Sequence, residues 1–170
     1  MVDVFISYAR ENRTVAARVA DELRASGLSV WLDDDLAAHR AYSEVIEQRL
    51  QEASAVVVLW SKASAGSQWV RAEADFGRNA GKLVQARLDS TMPPLPFNQI
   101  ECADLKRWRG KREHRGWGKL VASVAALVNG GFPETPRPKP NRRSPLLVGA
   151  LAIGVIALFA APLHLCSRAV

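Results

Sequence analysis

Two cysteines and three histidines are all that 170 residues offer in the way of thiol and imidazole ligands. His39, His114 and His164 are scattered, and no pair of His or Cys has metal-ligand spacing, so no metal site is expected. Cys102 and Cys166 fall on opposite sides of the membrane boundary argued below and cannot frame a disulfide fold. A reducing compartment suits the domain. Glycine is missing where nucleotide-binding motifs require it. The turn SYAREN after the first apolar strand contains none, which excludes a dinucleotide-binding turn, and no GxxxxGK[ST] phosphate loop occurs anywhere. A receiver domain would need an aspartate at the end of the third strand, where this chain has Trp60 and Ser61, and the triple Asp33, Asp34, Asp35 follows the second strand instead. No GxSxG elbow exists to carry a serine nucleophile.

Charge excess is also scarcer than it looks. The formal charge is +6, but the segment before the apolar tail holds Arg137, Lys139, Arg142 and Arg143 with Glu134, and Arg168 lies in the tail. About +2 remains for residues 1–132 once those +3 and +1 are subtracted. Most of the excess therefore suits anionic lipid head groups, and no nucleic-acid partner is expected. One basic stretch stays in the domain, Lys106 to Lys119 around Trp108 and Trp117. It reads either as solvated loop and helix surface or as a face for membrane or polyanion.

What the chain does have is a long apolar run, LLVGALAIGVIALFAAPL, from Leu146 to Leu163. Extended to Leu165 it gives about 27 to 30 Å of helix, the hydrocarbon thickness of a bilayer. The basic residues before the run, against Arg168 alone after it, put the N-terminal domain in the cytoplasm by the positive-inside bias. A signal peptide is not expected, because Val2 to Ser7 already reads as a strand. The expectation is a single-pass inner-membrane protein with a transmembrane helix at 146–165 and a short tail at 166–170. Pro162 and His164 interrupt the distal end, which leaves a peripheral hairpin or a core helix as alternatives. Ala150, Gly154, Ala157 and Ala161 form one small-residue stripe along which two such helices can approach, although alanine is abundant throughout the chain. Residues 133–145 belong to a proline- and arginine-rich stretch that reads as a stiff extended linker.

Residues 1–132 are enough for one domain. Within them, β-branched apolar runs alternate with helical patterns, which argues for a parallel sheet covered on both faces. Strands are expected at 2–7, 28–32, 55–60 and 82–88, with a weaker fifth near Gln99 to Cys102. Val15, Val19 and Leu23 recur every fourth position before Gly27, giving a helix over 11–26; Ser43 and Ser67 can cap two more, and a last helix fits 117–128. The expected fold class is α/β, a flavodoxin-like five-stranded parallel sheet of order 2-1-3-4-5. Ligands of such sheets sit outside the carboxyl ends of strands one and three. Tyr8 to Arg10, the loop Asp33 to Tyr42, and Ser61 to Glu73 should converge there.

The segment SQWVRAEAD places Trp69 and Glu73 four residues apart, on one helix face at that crevice. Spacing alone favours a core or lid residue for Trp69 and a surface carboxylate for Glu73. Three segments in order add to this: DVFISYARENRTVAARVADELRASGLSVWLDDD, AVVVLWSKASAGSQWVRAEA and PPLPFNQIECADLKRW. Together they resemble a bacterial TIR domain over roughly residues 1–130. FISYA opens the first strand as in that family, and Ser67, Trp69, Val70 and Glu73 match its third-helix motif.

The resemblance implies that Glu73 is the catalytic residue of an NAD+-cleaving enzyme, with NAD+ as substrate and no cofactor. It further implies that Tyr8, Ala9, Arg10, Asp33, Ser67 and Trp69 line the substrate cleft. Arg10 would face phosphate, Tyr8 flank a ring and Trp69 pack beneath the cleft; an exposed loop arginine is the alternative for Arg10. Leu36, His39, Arg40 and Tyr42 fall in the loop through which TIR domains associate with one another. That loop reads LAAHRAYSE and lacks the family's usual glycine, which removes easy access to positive φ. The fourth strand departs too, carrying Gln85 and Arg87 where the family is apolar, so this strand is expected to lie more exposed. Two functions follow from the resemblance: a membrane-anchored NAD+ glycohydrolase that acts in signalling or antiphage defence on self-association, or a non-catalytic TIR adaptor that binds other TIR proteins. Retention of Glu73 favours the first and the altered loop favours the second.

Overall fold

The computed structural model describes residues 2–32 and 41–130, with the side chains of residues 41–43 not described. Five strands, β1 (Val4–Ser7), β2 (Val30–Leu32), β3 (Ala55–Trp60), β4 (Leu83–Arg87) and β5 (Cys102–Asp104), form one parallel sheet of order β2-β1-β3-β4-β5. Helices α1 (Arg13–Arg24), α2 (Ala41–Glu52), α3 (Lys62–Gly66), α4 (Gln68–Asn79) and α5 (Arg115–Val128) connect and cover it.

Side chains alternate across a strand, so each strand feeds two cores. Val4, Ile6, Val57 and Leu59 face α1 and α5, meeting Val19, Leu23, Leu120 and Val124. Phe5, Val56, Val58 and Trp60 face the other way and meet Ile46, Leu50, Val70 and Ala74 of α2 and α4. All six residues of β3 are buried, as a central parallel strand requires. Trp108 and Trp117 stack at 4.7 Å between centroids and are buried beside α5, so the aromatics of the basic stretch serve the core and not a partner surface. Gly27, read from the sequence as a helix stop, sits three residues beyond α1 with φ +87°, a conformation that favours glycine.

The structure corrects several expectations. β5 lies at Cys102–Asp104, a few residues beyond the expected position, because Phe97–Gln99 form a 3₁₀ turn that delays the chain's entry into the sheet. Ser43 lies inside α2 and does not precede it, since that helix begins at Ala41. The expected loop after β3 contains the short helix α3, capped by Ser61. β4 is not exposed at its polar positions, since Gln85 is only 2% exposed. Trp60 Nε1 donates to Gln85 Oε1 at 2.8 Å, and Gln85 Nε2 donates to the carbonyls of Phe97 and Ile100 at 3.1 and 3.4 Å. A buried amide with its donors and acceptor satisfied replaces an apolar residue there. Arg87 is likewise engaged, donating to Asp104 Oδ2 at 2.6 Å on the neighbouring strand.

Among the described residues, no helix is long and apolar enough to cross a membrane. The expected span at 146–165, its stripe of Ala150, Gly154, Ala157 and Ala161, the linker and the tail all lie outside the described residues. So do Asp33, Leu36, His39 and Arg40 of the loop after β2.

Candidate functional site

β1 and β3 are adjacent, and beyond their carboxyl ends the chain turns to opposite faces of the sheet, which opens a crevice. After β1, Tyr8 and Ala9 lead into a 3₁₀ turn at Arg10–Asn12 that runs directly into α1. After β3, Ser61 accepts from the Ser64 backbone N–H at 3.2 Å, while Ser64 Oγ accepts from the Ser61 N–H at 2.6 Å, so α3 starts on a reciprocal cap. The Ser61 hydroxyl also bonds Asn12 Oδ1 at 2.6 Å, tying the turn after β1 to the turn after β3. Asp89, two residues beyond β4, braces the same corner, accepting from the backbone N–H of Lys62 at 3.0 Å and of Thr91 at 2.7 Å. Burial alone would raise the Asp89 pKa, but these two amides hold it below the usual aspartate value. Ser67 then ends α3 and caps α4, accepting from Val70 N–H.

This scaffold borders a cleft of about 770 Å³. The residues expected from the sequence that lie within the described part converge on it: Tyr8, Ala9 and Arg10 from the β1 turn, and Ser67, Trp69 and Glu73 from α4. Trp69 and Glu73 share a helix face, with Glu73 half-buried and Val70 beside them buried in the core. Trp69 is 64% exposed, so it stands at the mouth of the cleft and does not pack beneath it. Its place in the first turn of α4 carries the ring outward, while Val70 takes the inward position. Tyr42 belongs to α2, but its side chain is outside the described set.

Sequence reasoning missed Ser7, Glu11, Arg13 and Ile46, which also line the cleft. Arg13 follows Arg10 by three residues and opens α1, so one turn of helix periodicity would have put both at the same rim. Ile46 lies one turn inside α2, is buried, and reaches the cleft as well.

The chemistry of this lining is mixed. Phe5, Ile6, Ile46 and Val70 give an apolar floor, Tyr8 and Trp69 offer ring faces, Arg10 and Arg13 offer cations for phosphate, and Glu73 offers a carboxylate. Among the described residues no group of three or more His, Cys, Asp or Glu could hold a metal ion.

A second basin of about 800 Å³ lies past the ends of β4 and β5, where Lys106, Arg107, Arg115 and Lys119 face Asp89 and Asp104. Much of its charge is compensated internally, by Arg87 on Asp104 and Lys119 on Glu101.

Residues 4–121 match the TIR domain family. The fold resembles the TIR domain of the Toll-related receptor TRR-2 from Hydra magnipapillata, with TM-score 0.61 and 18% identity over 74% of this chain and 99% of that one. It also resembles a metazoan TIR-STING receptor from C. gigas solved in complex with 2′,3′-cGAMP, with TM-score 0.58 and 20% identity over 71% of this chain and 38% of that one. The TIR domains of the activated Roq1 resistosome recognising the effector XopQ match with TM-score 0.51 and 18% identity, over 76% of this chain and 96% of that one. No curated protein matches the chain. With a family match running from the first strand into the last described helix, over a parallel sheet of order 2-1-3-4-5, the chain belongs to the TIR domain family.

Proposed function

We propose that this chain is a bacterial, membrane-anchored TIR effector of signalling or antiphage defence that cleaves NAD+ to nicotinamide and ADP-ribose, linear or cyclised, when its domains self-associate. The observation that carries the reading is the position of Glu73, half-buried in one cleft with two aromatic rings and two arginines. Each part of NAD+ has a counterpart there. Arg10 and Arg13 suit the diphosphate, Tyr8 and Trp69 suit the rings, and Glu73 suits the ribose.

Breaking the bond between nicotinamide N1 and ribose C1′ sends its electron pair to the ring nitrogen and leaves oxocarbenium character on the sugar. A carboxylate beside that sugar stabilises the developing positive charge and orients its hydroxyls. Nicotinamide departs as a neutral ring, so no general acid is needed. Water attacking C1′ and losing a proton gives linear ADP-ribose; attack by a nucleophile of the same molecule gives a cyclic product.

Self-association is assigned to the segment after β2 with Leu36, His39 and Arg40, together with Tyr42 at the start of α2, and crowding to the apolar segment at 146–165. By its description one of the similar structures belongs to an activated resistosome, which supports activity that depends on assembly, and the other two are receptors, which supports a signalling role. The adaptor reading, in which the domain recruits another TIR protein without catalysis, is favoured by the absence of glycine from LAAHRAYSE. Chromatography of nicotinamide after incubating the full chain with NAD+ separates the two. Release that Glu73→Ala abolishes supports the enzyme; no release from folded, clustered protein supports the adaptor.

A further inference from the structure

Ser7 ends β1 opposite Val58 of β3, and alternation along the strand puts its side chain on the same face as Phe5. That face packs against Ile46 of α2 and Val70 of α4, both of which also line the cleft. Ser7 is 2% exposed, and its hydroxyl is the one buried side-chain polar atom among the described residues with no hydrogen-bond partner. The other buried polar side chains there, Ser61, Ser64 and Gln85, are all bonded. A hydroxyl left without a partner in an apolar setting destabilises the protein, and alanine would occupy the same place without that cost. Ser7 nevertheless lines the cleft that holds Glu73.

We propose that Ser7 is a recognition residue, whose hydroxyl bonds the uncharged polar edge of a flat ring entering between α2 and α4. Resting on the NAD+ reading, this makes the ring nicotinamide and the edge its carboxamide. The hydroxyl is buried beneath the apolar face, so the ring reaches it by displacing that cover, and the missing hydrogen bond is made only in the complex. Because the surroundings are Phe5, Ile46 and Val70, a carboxylate in place of the carboxamide would be buried as a charge among apolar groups. The site therefore selects NAD+ over its nicotinic acid analogue.

The test uses the full chain with Ser7→Ala, alone and in a Glu73→Gln background that removes the proposed catalytic carboxylate. Without ligand, Ser7→Ala melts at the same temperature as the native chain or higher; a fall of several degrees, or failure to fold, means the hydroxyl is already satisfied and overturns the proposal. By calorimetry in the Glu73→Gln background, Ser7→Ala weakens NAD+ binding about five- to tenfold, the loss of one neutral hydrogen bond. Ser7→Cys, similar in size but a weaker donor, falls between. The nicotinic acid analogue binds weakly with or without the serine. Unchanged NAD+ affinity on Ser7→Ala, or tight binding of the analogue, overturns the assignment. If NAD+ binding follows Ser7 while the native chain releases no nicotinamide, the proposed activity fails and the recognition role stands.

Discussion

Gln85→Leu asks whether the polar residue in β4 is part of the architecture or an accident of sequence. The side chain is buried and makes three hydrogen bonds, to Trp60 Nε1 and to the carbonyls of Phe97 and Ile100. Leucine keeps the volume and removes all three. Ile100 is 36% exposed, so its carbonyl can recover with water, whereas Trp60 and Phe97 are 0% and 2% exposed. The Phe97 carbonyl still accepts from the Ile100 N–H at 3.1 Å, so one group, the Trp60 indole N–H, is left buried without a partner, at about 1 to 3 kcal/mol. Leucine regains about 1 kcal/mol of apolar burial. The net loss is about 1 kcal/mol, which for a domain of this size lowers the melting temperature by about 4 °C. Circular dichroism melts of the native and variant chains measure it. A double-mutant cycle with Trp60→Phe adds specificity, since the indole N–H can be orphaned only while it is present, and a coupling of about 1 kcal/mol or more is expected. A Gln85→Leu variant as stable as the native chain, with no coupling to Trp60, would refute the reasoning.

Gly116 sits in the first turn of α5, and a Cβ there would collide with the backbone carbonyl of Asp104. Gly116→Ala should therefore cost about 3 kcal/mol or more, read as a lowered denaturant midpoint. Burial pushes the Cys102 thiol up to about 12, with Arg87 opposing and Asp104 adding to the shift. Peptide mapping should find Cys102 almost unalkylated by iodoacetamide at pH 8 in the native chain and readily alkylated in denaturant. Burial alone would raise the Asp104 carboxyl, but the Lys106 backbone N–H and the Arg87 guanidinium hold it below its ordinary value. A depressed carboxyl contributes stability that is complete above its unfolded pKa and is lost as pH falls through its folded pKa. Asp104→Asn should therefore flatten the loss of stability on acidification; an unchanged acid limb would contradict it. Replacing Gly154 and Ala157 with leucine should weaken self-association of the full chain in membranes, measured by crosslinking, and an unchanged pattern would remove the small-residue stripe from the account.

Strand β3 was legible to the residue because AVVVLW is buried on both faces and nothing polar interrupts it. Glu73 was legible as a motif position, and the crevice followed from the strand order once the sheet was recognised as doubly wound. β4 misled because a single sequence shows a glutamine as polar and does not show that Trp60, twenty-five residues away, supplies its partner. β5 misled because the 3₁₀ turn at Phe97–Gln99 has no apolar period to mark it. Trp69 was read from the resemblance as packing beneath the cleft, whereas the start of α4 turns Val70 inward instead. Ser7 carried no signal at all: a serine at a strand end is unremarkable until the face it occupies and the absence of a partner are seen together.

The central claim is that Glu73 acts on NAD+ in domains brought together at a membrane. Nicotinamide release should be followed with the full chain reconstituted into liposomes at increasing protein-to-lipid ratio, beside Glu73→Gln at each ratio. A rate per molecule that rises with surface density, and vanishes in the variant throughout, is the predicted result. Release that persists in Glu73→Gln, or none at any density from folded protein, would contradict it.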